Sequence, residues 1–285
     1  MRSSNLLVRR LFKIVFSLLL LAGMVSCATP AYWANRFVID ETDIHVLLLP
    51  PAQLMKSYAP EHPDSIPADS ITGPEDSRAR FIQAVDDSLF IDRFFTAAED
   101  YLDELLVNVY GPEDMDAFFD LDKPGYIFHM AQAELLEYAD TEVLIGDTPE
   151  KRYRGTVNIT VMEHNVWFEF QKLHDPDFDM QVLFSTYATS DYVDGRFVIL
   201  NSGEARLDPR IYRLAEQDIY DLAYFSGEQN AQNIFDHIMN LYVAQNMSGE
   251  PSYRFHYDME EHVIVEKEEP PFILIEPAGE DQGSE

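Results

Sequence analysis

Hydrophobic positions along the middle of the chain follow the spacing expected of β-strands. Residues 43–49 contain an uninterrupted apolar run that Pro50 and Pro51 end. Such a run is typical of a strand that is buried on both faces. Residues 126–202 contain β-branched and aromatic segments separated by polar turns. We therefore expect an antiparallel meander of four strands in this region.

Two parts of this meander need further argument. Residues 125–145 are rich in Ala, Leu and Glu, which favour helix, but their strand-like neighbours favour a strand. The apolar residues of 157–161 occupy odd positions, whereas Val166, Phe168 and Phe170 occupy even positions, so the two sets face opposite sides of a regular strand. This change predicts a bulge or bend near residues 163–165.

Apolar residues repeat at helical spacing in three other segments. A helix is expected over about 88–109. Two more are expected near the C-terminus, one beginning at Asp208-Pro209 and one following Ser226. Together the elements predict an α+β fold, in which a buried strand and an antiparallel β-meander pack against several α-helices.

The N-terminus has the three parts of a secretory signal peptide. Basic residues come first, a mostly apolar stretch occupies residues 14–22, and small residues follow. A permanent membrane span is the weaker interpretation, because a spanning helix needs about 20 consecutive apolar residues. Residues 24–27 read Met-Val-Ser-Cys and resemble the lipobox of bacterial lipoproteins, with Met24 where leucine is usual.

The lipobox resemblance implies that Cys27 is lipidated, that residues 1–26 are removed and that the new amino terminus is acylated. Two or more acyl chains give stable anchoring, so membrane lipid is the first expected partner. No acidic residue occurs in residues 28–36. By resemblance to Gram-negative lipoproteins, this implies the periplasmic face of the outer membrane. The alternative is an ordinary signal peptide that happens to end near a cysteine.

The composition suggests how the rest of the chain is organised. After the signal peptide of residues 1–26, we expect a lipidated tether at 27–42 and a single α+β domain at 43–252. Residues 57–80 are rich in Pro, Ser and Asp and predict a long loop within this domain. Residues 253–285 predict an acidic tail, whose last part is expected to be disordered.

The charge of the chain excludes one class of partner. It contains 51 acidic and 20 basic residues, which give a formal net charge of −31. Such a charge repels phosphate backbones, so we expect no nucleic-acid partner. Cys27 is the only cysteine, so the chain cannot form an internal disulfide.

The chain has no recognisable motif for catalysis or ligand binding. It contains no phosphate loop, dinucleotide fingerprint, nucleophile elbow or zinc-protease helix. Residues 174–179 have Asp at alternating positions, as a calcium loop does. However, Met180 and Thr186 stand where such a loop requires Gly and Glu. A polar turn between strands is the better interpretation.

Titratable residues elsewhere in the meander predict no acid–base group. On a regular strand His129 and Glu137 would share one face, and Glu134 would lie on the other. His164 and His174 lack the spacing of metal ligands. We therefore expect no catalytic residue, no metal site and no cofactor, and we expect that the protein is not an enzyme.

The order of elements broadly resembles the small α+β lipoprotein domains of the curli-secretion and penicillin-binding-protein-activator kind. This resemblance implies a non-catalytic adaptor or assembly module in the cell envelope, with an envelope protein as its second partner. The alternative is a lipid-anchored protein that binds a small ligand or glycan, since the aromatic residues would supply stacking surfaces. A hydrolase with unrecognised Asp or His residues is a third hypothesis.

Overall fold

The structure, a computed structural model, describes residues 29–40, 43–147, 151–202, 204–247 and 254–275. The predicted signal peptide, Cys27 and the last part of the acidic tail lie outside these ranges. The described chain separates into two compact units. One comprises the described parts of Asp43–Phe235 and Phe272–Glu285, and the other those of Met1–Thr42 and Asp236–Pro271. This division does not coincide with the predicted domain limits of 43–252.

A seven-stranded mixed sheet forms the centre of the first unit. The strands of the chain are β1 (His45–Leu49), β2 (Leu54–Ala59), β3 (Asn108–Tyr110), β4 (Gly125–Asp147), β5 (Arg152–Lys172), β6 (Gln181–Ser190), β7 (Tyr192–Ile199), β8 (Ala205–Tyr212), β9 (Arg254–Asp258), β10 (Val263–Lys267) and β11 (Ile273–Ile275). The sheet has the order β11-β6-β5-β4-β1-β3, and β2 also pairs with β4. The pairs from β4 to β11 are antiparallel, whereas β1 and β2 run parallel to β4.

The described helices are α1 (Pro30–Asp40), α2 (Asp87–Glu104), α3 (Met115–Phe119) and α4 (Glu216–Gln245). α2 and α4 pack on this sheet through Phe90 and Ser226, which contact His164 of β5. α2 ends at Glu104 and not near 109 as predicted, because residues 108–110 form strand β3 beside β1. α2 begins after Asp86 because the Asp86 carboxylate accepts a hydrogen bond from the Leu89 amide at 2.9 Å. The predicted α+β fold is confirmed, and the predicted buried strand is β1, in which four of the five residues are buried.

β5 buries its two faces in different places. Within residues 162–170 the even positions are buried and face α2 and α4, and we call this side of the sheet the helix face. Within residues 157–161 the odd positions are buried, and Ile159 and Val161 belong to a cluster on the opposite face. The predicted bulge near 163–165 is wrong, because the pairing of β5 is continuous there. The register shift lies instead between Met130 and Gln132 of β4.

One continuous helix, α4, stands where two C-terminal helices were predicted. Asp208 and Pro209 lie in β8, which among the described strands pairs only with β7. Pro209 is tolerated because each strand of such a two-stranded ribbon has an edge without a ladder partner. Ser226 does not cap a new helix. Its hydroxyl instead donates a hydrogen bond of 2.7 Å to the Leu222 carbonyl one turn earlier, within the same helix.

The β7–β8 ribbon packs against the far end of the β4–β5 hairpin. Glycine at 146 allows this contact, since a Cβ atom there would lie closer than 3.0 Å to the Phe197 ring. Phe197 also stacks on Tyr153, with ring centroids 5.8 Å apart. The fourth strand of the predicted meander therefore leaves the main sheet and forms a second layer.

The second unit begins with a helix in place of the predicted tether. α1 lies within the predicted tether, residues 27–42. This segment forms a packed helix because two of its aromatic side chains have a partner on α4. Trp33 and Phe37 contact Tyr242 of α4, with ring centroids 6.3 and 5.4 Å apart. Phe37 is buried, so this segment belongs to a folded core.

A hairpin of β9 and β10 completes the second unit, within the predicted tail. Asn240 of α4 positions this hairpin by two hydrogen bonds of 2.8 Å, donating to the Phe255 carbonyl and accepting from the Phe255 amide. The Asp236 carboxylate accepts from the Tyr257 amide at 3.0 Å. The apolar stretches of the predicted tail are thus strands β10 and β11.

Candidate functional site

The face of the sheet opposite the helix face is partly exposed between two buried clusters. One cluster surrounds Ile159 at the far end, and the other surrounds Phe118 of α3 at the near end. Side chains that point to this face between them form what we call the open band. It consists of Met55, His129, Gln132, Glu134, Asn165, Trp167, Glu169, Val182, Phe184, Thr186, Ile273 and Ile275.

An aromatic pair lies at the centre of the open band. Trp167 of β5 and Phe184 of β6 are direct cross-strand neighbours, and their ring centroids are 4.9 Å apart. Ile273 of β11 lies beside Phe184 and is 54% exposed. Cross-strand aromatic pairs stabilise a sheet, but a half-buried pair flanked by exposed isoleucine also offers a flat apolar surface.

Polar groups surround the aromatic pair. His129 Nδ1 lies 3.0 Å from a Glu169 carboxylate oxygen, and both side chains are more than one third exposed. The Ser57 hydroxyl donates a hydrogen bond of 2.6 Å to Glu134. Two carboxylates therefore lie on the two sides of Trp167, each held by one neighbour. Their remaining lone pairs can accept hydrogen bonds from a bound molecule.

Asn165 has an amide that is only half satisfied. Its Nδ2 donates to Glu163 at 3.0 Å, but its Oδ1 is buried and has no hydrogen-bond partner among the described residues. The same Glu163 accepts from the Tyr138 hydroxyl at 3.4 Å. Burial above all, and then the nearby Glu163 carboxylate, raises the pKa of Tyr138 to about 12. The hydrogen bonds from Asn165 and Tyr138 to Glu163 hold these three side chains in place beside Trp167.

The shift in β4 changes which titratable residues share a face. Because the register shift follows Met130, His129 and Glu134 both point to the open band, and Glu137 points to the helix face. The prediction that His129 and Glu137 share a face is therefore wrong. Glu137 is buried and accepts amide hydrogen bonds from Arg80, Phe81 and Ile82 at 2.6, 2.8 and 3.1 Å, so its role is structural.

His164 lies in the core behind the sheet. Its Nδ1 is 2.8 Å from the Ser226 hydroxyl, and its ring meets Phe90 and Phe94 edge to face. The Ser226 hydroxyl donates its single proton to the Leu222 carbonyl, so its oxygen can only accept a hydrogen bond from His164. The Nδ1 atom of His164 therefore carries a proton and donates it to the Ser226 oxygen. Burial lowers the pKa of His164 to about 3. A neutral, 1% exposed imidazole cannot reach a substrate, although a buried His–Ser contact resembles part of a catalytic group.

Residues 174–179, which have Asp at alternating positions as a calcium loop does, form a turn between β5 and β6. His174 has a positive φ of 60° and its Nε2 lies 2.9 Å from the Leu121 carbonyl oxygen. The amide of Phe178 donates to the Asp175 carbonyl at 3.2 Å. Within the described ranges, no three His, Cys, Asp or Glu side chains are grouped as metal ligands.

Sequence reasoning did not single out Trp167 and Phe184. The available signal was a tryptophan at an odd position, between the even apolar positions of β5 that face the helices. Alternation alone places such a residue on the face away from the core. An apolar aromatic residue on that face suggests a surface that another molecule covers.

Comparison of the chain with protein-family models and with curated proteins gives no match. No helix in the described part of the chain combines the length and the apolar character needed to cross a membrane.

Proposed function

We propose that this chain is a lipoprotein of the Gram-negative outer membrane that acts without catalysis, as an adaptor for another envelope protein. Its anchor is acylated Cys27, on the periplasmic face, and the surface that contacts the partner is the open band. The lipobox-like residues 24–27 support the anchor. The half-buried Trp167–Phe184 pair and the exposed aliphatic side chains beside it carry the proposal of an adaptor surface, since flat apolar patches mark sites of protein association.

The charge pattern agrees with a protein partner. Carboxylates of Glu134 and Glu169 flank the apolar centre, which gives the usual arrangement of an apolar core and a polar rim. A partner surface with an exposed aromatic or aliphatic group, ringed by Lys or Arg, complements this arrangement. Such charges also accelerate encounter with a partner of opposite sign.

The anchor gives the first prediction. In a Gram-negative host, Cys27→Ser is expected to leave the protein unprocessed or to release it from the outer-membrane fraction, because the acylated side chain is removed. Cell fractionation and mass spectrometry of the amino-terminal peptide measure this. Ser26→Ala, which keeps a small residue before the cysteine, is the matched control and should behave as wild type. A Cys27→Ser protein that fractionates like wild type, with no acyl group on wild type, would refute the anchor.

The open band gives the second prediction. A photo-crosslinking amino acid at exposed Thr186 is expected to yield a defined crosslinked species in intact cells, and Trp167→Ala is expected to abolish it. The same probe at Leu89, exposed on α2, is the control and should not yield that species. Identical products from both positions, or a product that survives Trp167→Ala, would contradict an adaptor surface at the open band.

A glycan is the second candidate for the same surface. The Trp167–Phe184 pair offers an aromatic platform, and the Glu134 and Glu169 carboxylates offer acceptors for hydroxyl groups. The crosslinking experiment separates the two candidates. A glycan gives a crosslinked species that glycosidase treatment shifts towards the mass of the free protein, whereas a protein partner gives a species that glycosidase leaves unchanged and that contains peptides of a second protein.

A further inference from the structure

One edge of the seven-stranded sheet is only partly paired. β11 covers β6 at residues 182–184, and in the described part of the chain no strand pairs with the rest of this edge, residues 185–190. Natural proteins usually block an open edge with proline, lysine or a bulge. β6 contains neither proline nor lysine, and its pairing with β5 has no register shift.

The hydrogen-bonding groups of this edge can be assigned. The Asp191 amide donates to the Thr160 carbonyl of β5 at 2.9 Å, so the backbone groups at odd positions of β6 point towards β5. Those of Thr186, Ala188 and Ser190 therefore point away from the sheet, and all three residues are exposed. Together they present three amides and three carbonyls in the spacing that an added strand requires.

A shallow depression of about 240 Å³ lies beside the same edge. Ala188 and Thr189 of β6 form one side of it, and the first turns of α4 form the other, through Asp218, Asp221, Leu222 and Phe225. Phe225 is 46% exposed, and its ring packs edge to face on Tyr187 of β6. A strand laid along β6 would direct alternate side chains into this depression.

We propose that the free edge of β6 binds an extended peptide as an added antiparallel strand, with a Lys or Arg side chain lying over Phe225 towards Asp218 and Asp221. The backbone edge supplies affinity for any extended chain, and the depression selects the side chain. The aliphatic stem of the basic residue packs on the ring, and its charge meets two carboxylates. Both described neighbours of the strand, β5 and β11, are antiparallel to it, which favours the same direction for the peptide.

Other occupants fit this edge less well. The edge segment of a second copy, residues 185–190, contains no basic residue to meet Asp218 and Asp221. Residues 276–285 of the same chain contain four acidic residues and no basic one, so these carboxylates would repel them. The charge at the depression therefore selects a basic segment of another polypeptide. This site shares only Thr186 with the open band: the side chain of that residue points to the open band, and its backbone groups point to the free edge.

The test uses the full chain in detergent and two fluorescent eight-residue peptides of alternating Thr and Val, one with a central Lys and one with a central Glu. We expect saturable binding of the Lys peptide, at least tenfold tighter than that of the Glu peptide. Asp221→Lys is expected to abolish this preference, because one carboxylate and one ammonium then face the peptide; the substitution also removes the hydrogen bond that Asp221 accepts from the Gln217 side-chain amide. Asp92→Lys, on α2, is the control and should leave the preference unchanged. Equal binding of the two peptides, or an unchanged preference in Asp221→Lys, would overturn the proposal.

Hydrogen exchange locates the bound peptide. The amides of Thr186, Ala188 and Ser190 should exchange at least tenfold more slowly when the Lys peptide is bound, and Ala188→Pro should weaken binding because it removes one of them. Protection elsewhere would overturn the assignment.

Two further results would show a different occupant of this edge and overturn the proposal. The first is a dimer of the protein that Ala188→Pro dissociates, which would show a second copy there. The second is tighter peptide binding after deletion of residues 276–285, which would show the tail there. Trp167→Ala should leave peptide binding unchanged, so the result is independent of the open band.

Discussion

Gly227→Ala is expected to lower the free energy of unfolding by about 2 kcal/mol. Gly227 lies where α4 crosses α2, and a Cβ atom there would lie closer than 3.0 Å to the Phe94 carbonyl oxygen and 3.0 Å from the Ala97 Cβ. One of these contacts is with the backbone of α2, which cannot rotate away as a side chain can. The helix must therefore move, and the packing of α2 on β5 must move with it.

The sign of this change is the informative part. In an open helix, alanine in place of glycine raises stability by about 1 kcal/mol, because glycine loses more conformational freedom on folding. A loss of stability therefore reports the close approach of the two helices and nothing about helix propensity. Urea unfolding followed by circular dichroism measures the difference.

Gly111→Ala is the matched control. Gly111 has a φ of −95°, which alanine adopts readily, and the nearest atoms to its Cβ position belong to the flexible Glu113 side chain. The free energy of unfolding of the Gly111→Ala protein should differ from that of wild type by less than about 0.5 kcal/mol. A Gly227→Ala protein that is more stable than wild type would show that α2 and α4 do not approach as described.

Much of the sheet could be predicted from local pattern. The strands within 125–190 were predicted because β-branched and aromatic residues alternate there and polar turns separate them. Residues 125–145 were assigned correctly, in spite of good helix formers, because a strand needs neighbours and the following segments supplied them. In this case tertiary pairing outweighs intrinsic helix propensity.

The open band depends on two features that alternation does not reveal. β5 changes its buried face along its length because helices cover one end of the helix face and a loop and β7 cover the far end of the other face. A sequence shows only which residues are apolar, so opposite parity predicts a bulge. The shift at Met130–Gln132 of β4 then decides that His129 and Glu134 meet on one face.

The C-terminal helices illustrate the same limit. Asp208-Pro209 has the signature of a helix start, and Ser226 has that of a helix cap, yet neither has that role. Local signals of this kind compete with packing. The residue that follows Ser226 is glycine because α2 passes there, and the requirement for space at a crossing cannot be seen in one helix alone.

The buried histidine gives the last prediction. His164 is expected to make the protein about 3 kcal/mol less stable at pH 4.5 than at pH 7.5. Burial between two phenylalanine rings lowers the pKa of His164 to about 3 in the folded protein, from an ordinary value of 6.5. Below pH 6.5 the unfolded chain therefore binds a proton at His164, whereas the folded chain binds one there only when the pH approaches 3. The full free energy of unfolding is therefore retained above pH 6.5, and the part that depends on a neutral His164 is lost progressively as the pH falls towards 3.

A difference between two proteins isolates this effect from the many carboxylates of the chain. Free energies of unfolding are measured in urea at several pH values for wild type and for His164→Gln, which keeps a polar group towards Ser226 but cannot be protonated in this range. The carboxylates contribute equally to both curves, so the wild-type curve should fall more steeply below pH 6.5. His164→Leu provides a second uncharged side chain if the buried amide destabilises the fold. Parallel curves for wild type and either variant would contradict a buried neutral imidazole, because a solvated His164 titrates alike in the folded and unfolded chains and adds no slope.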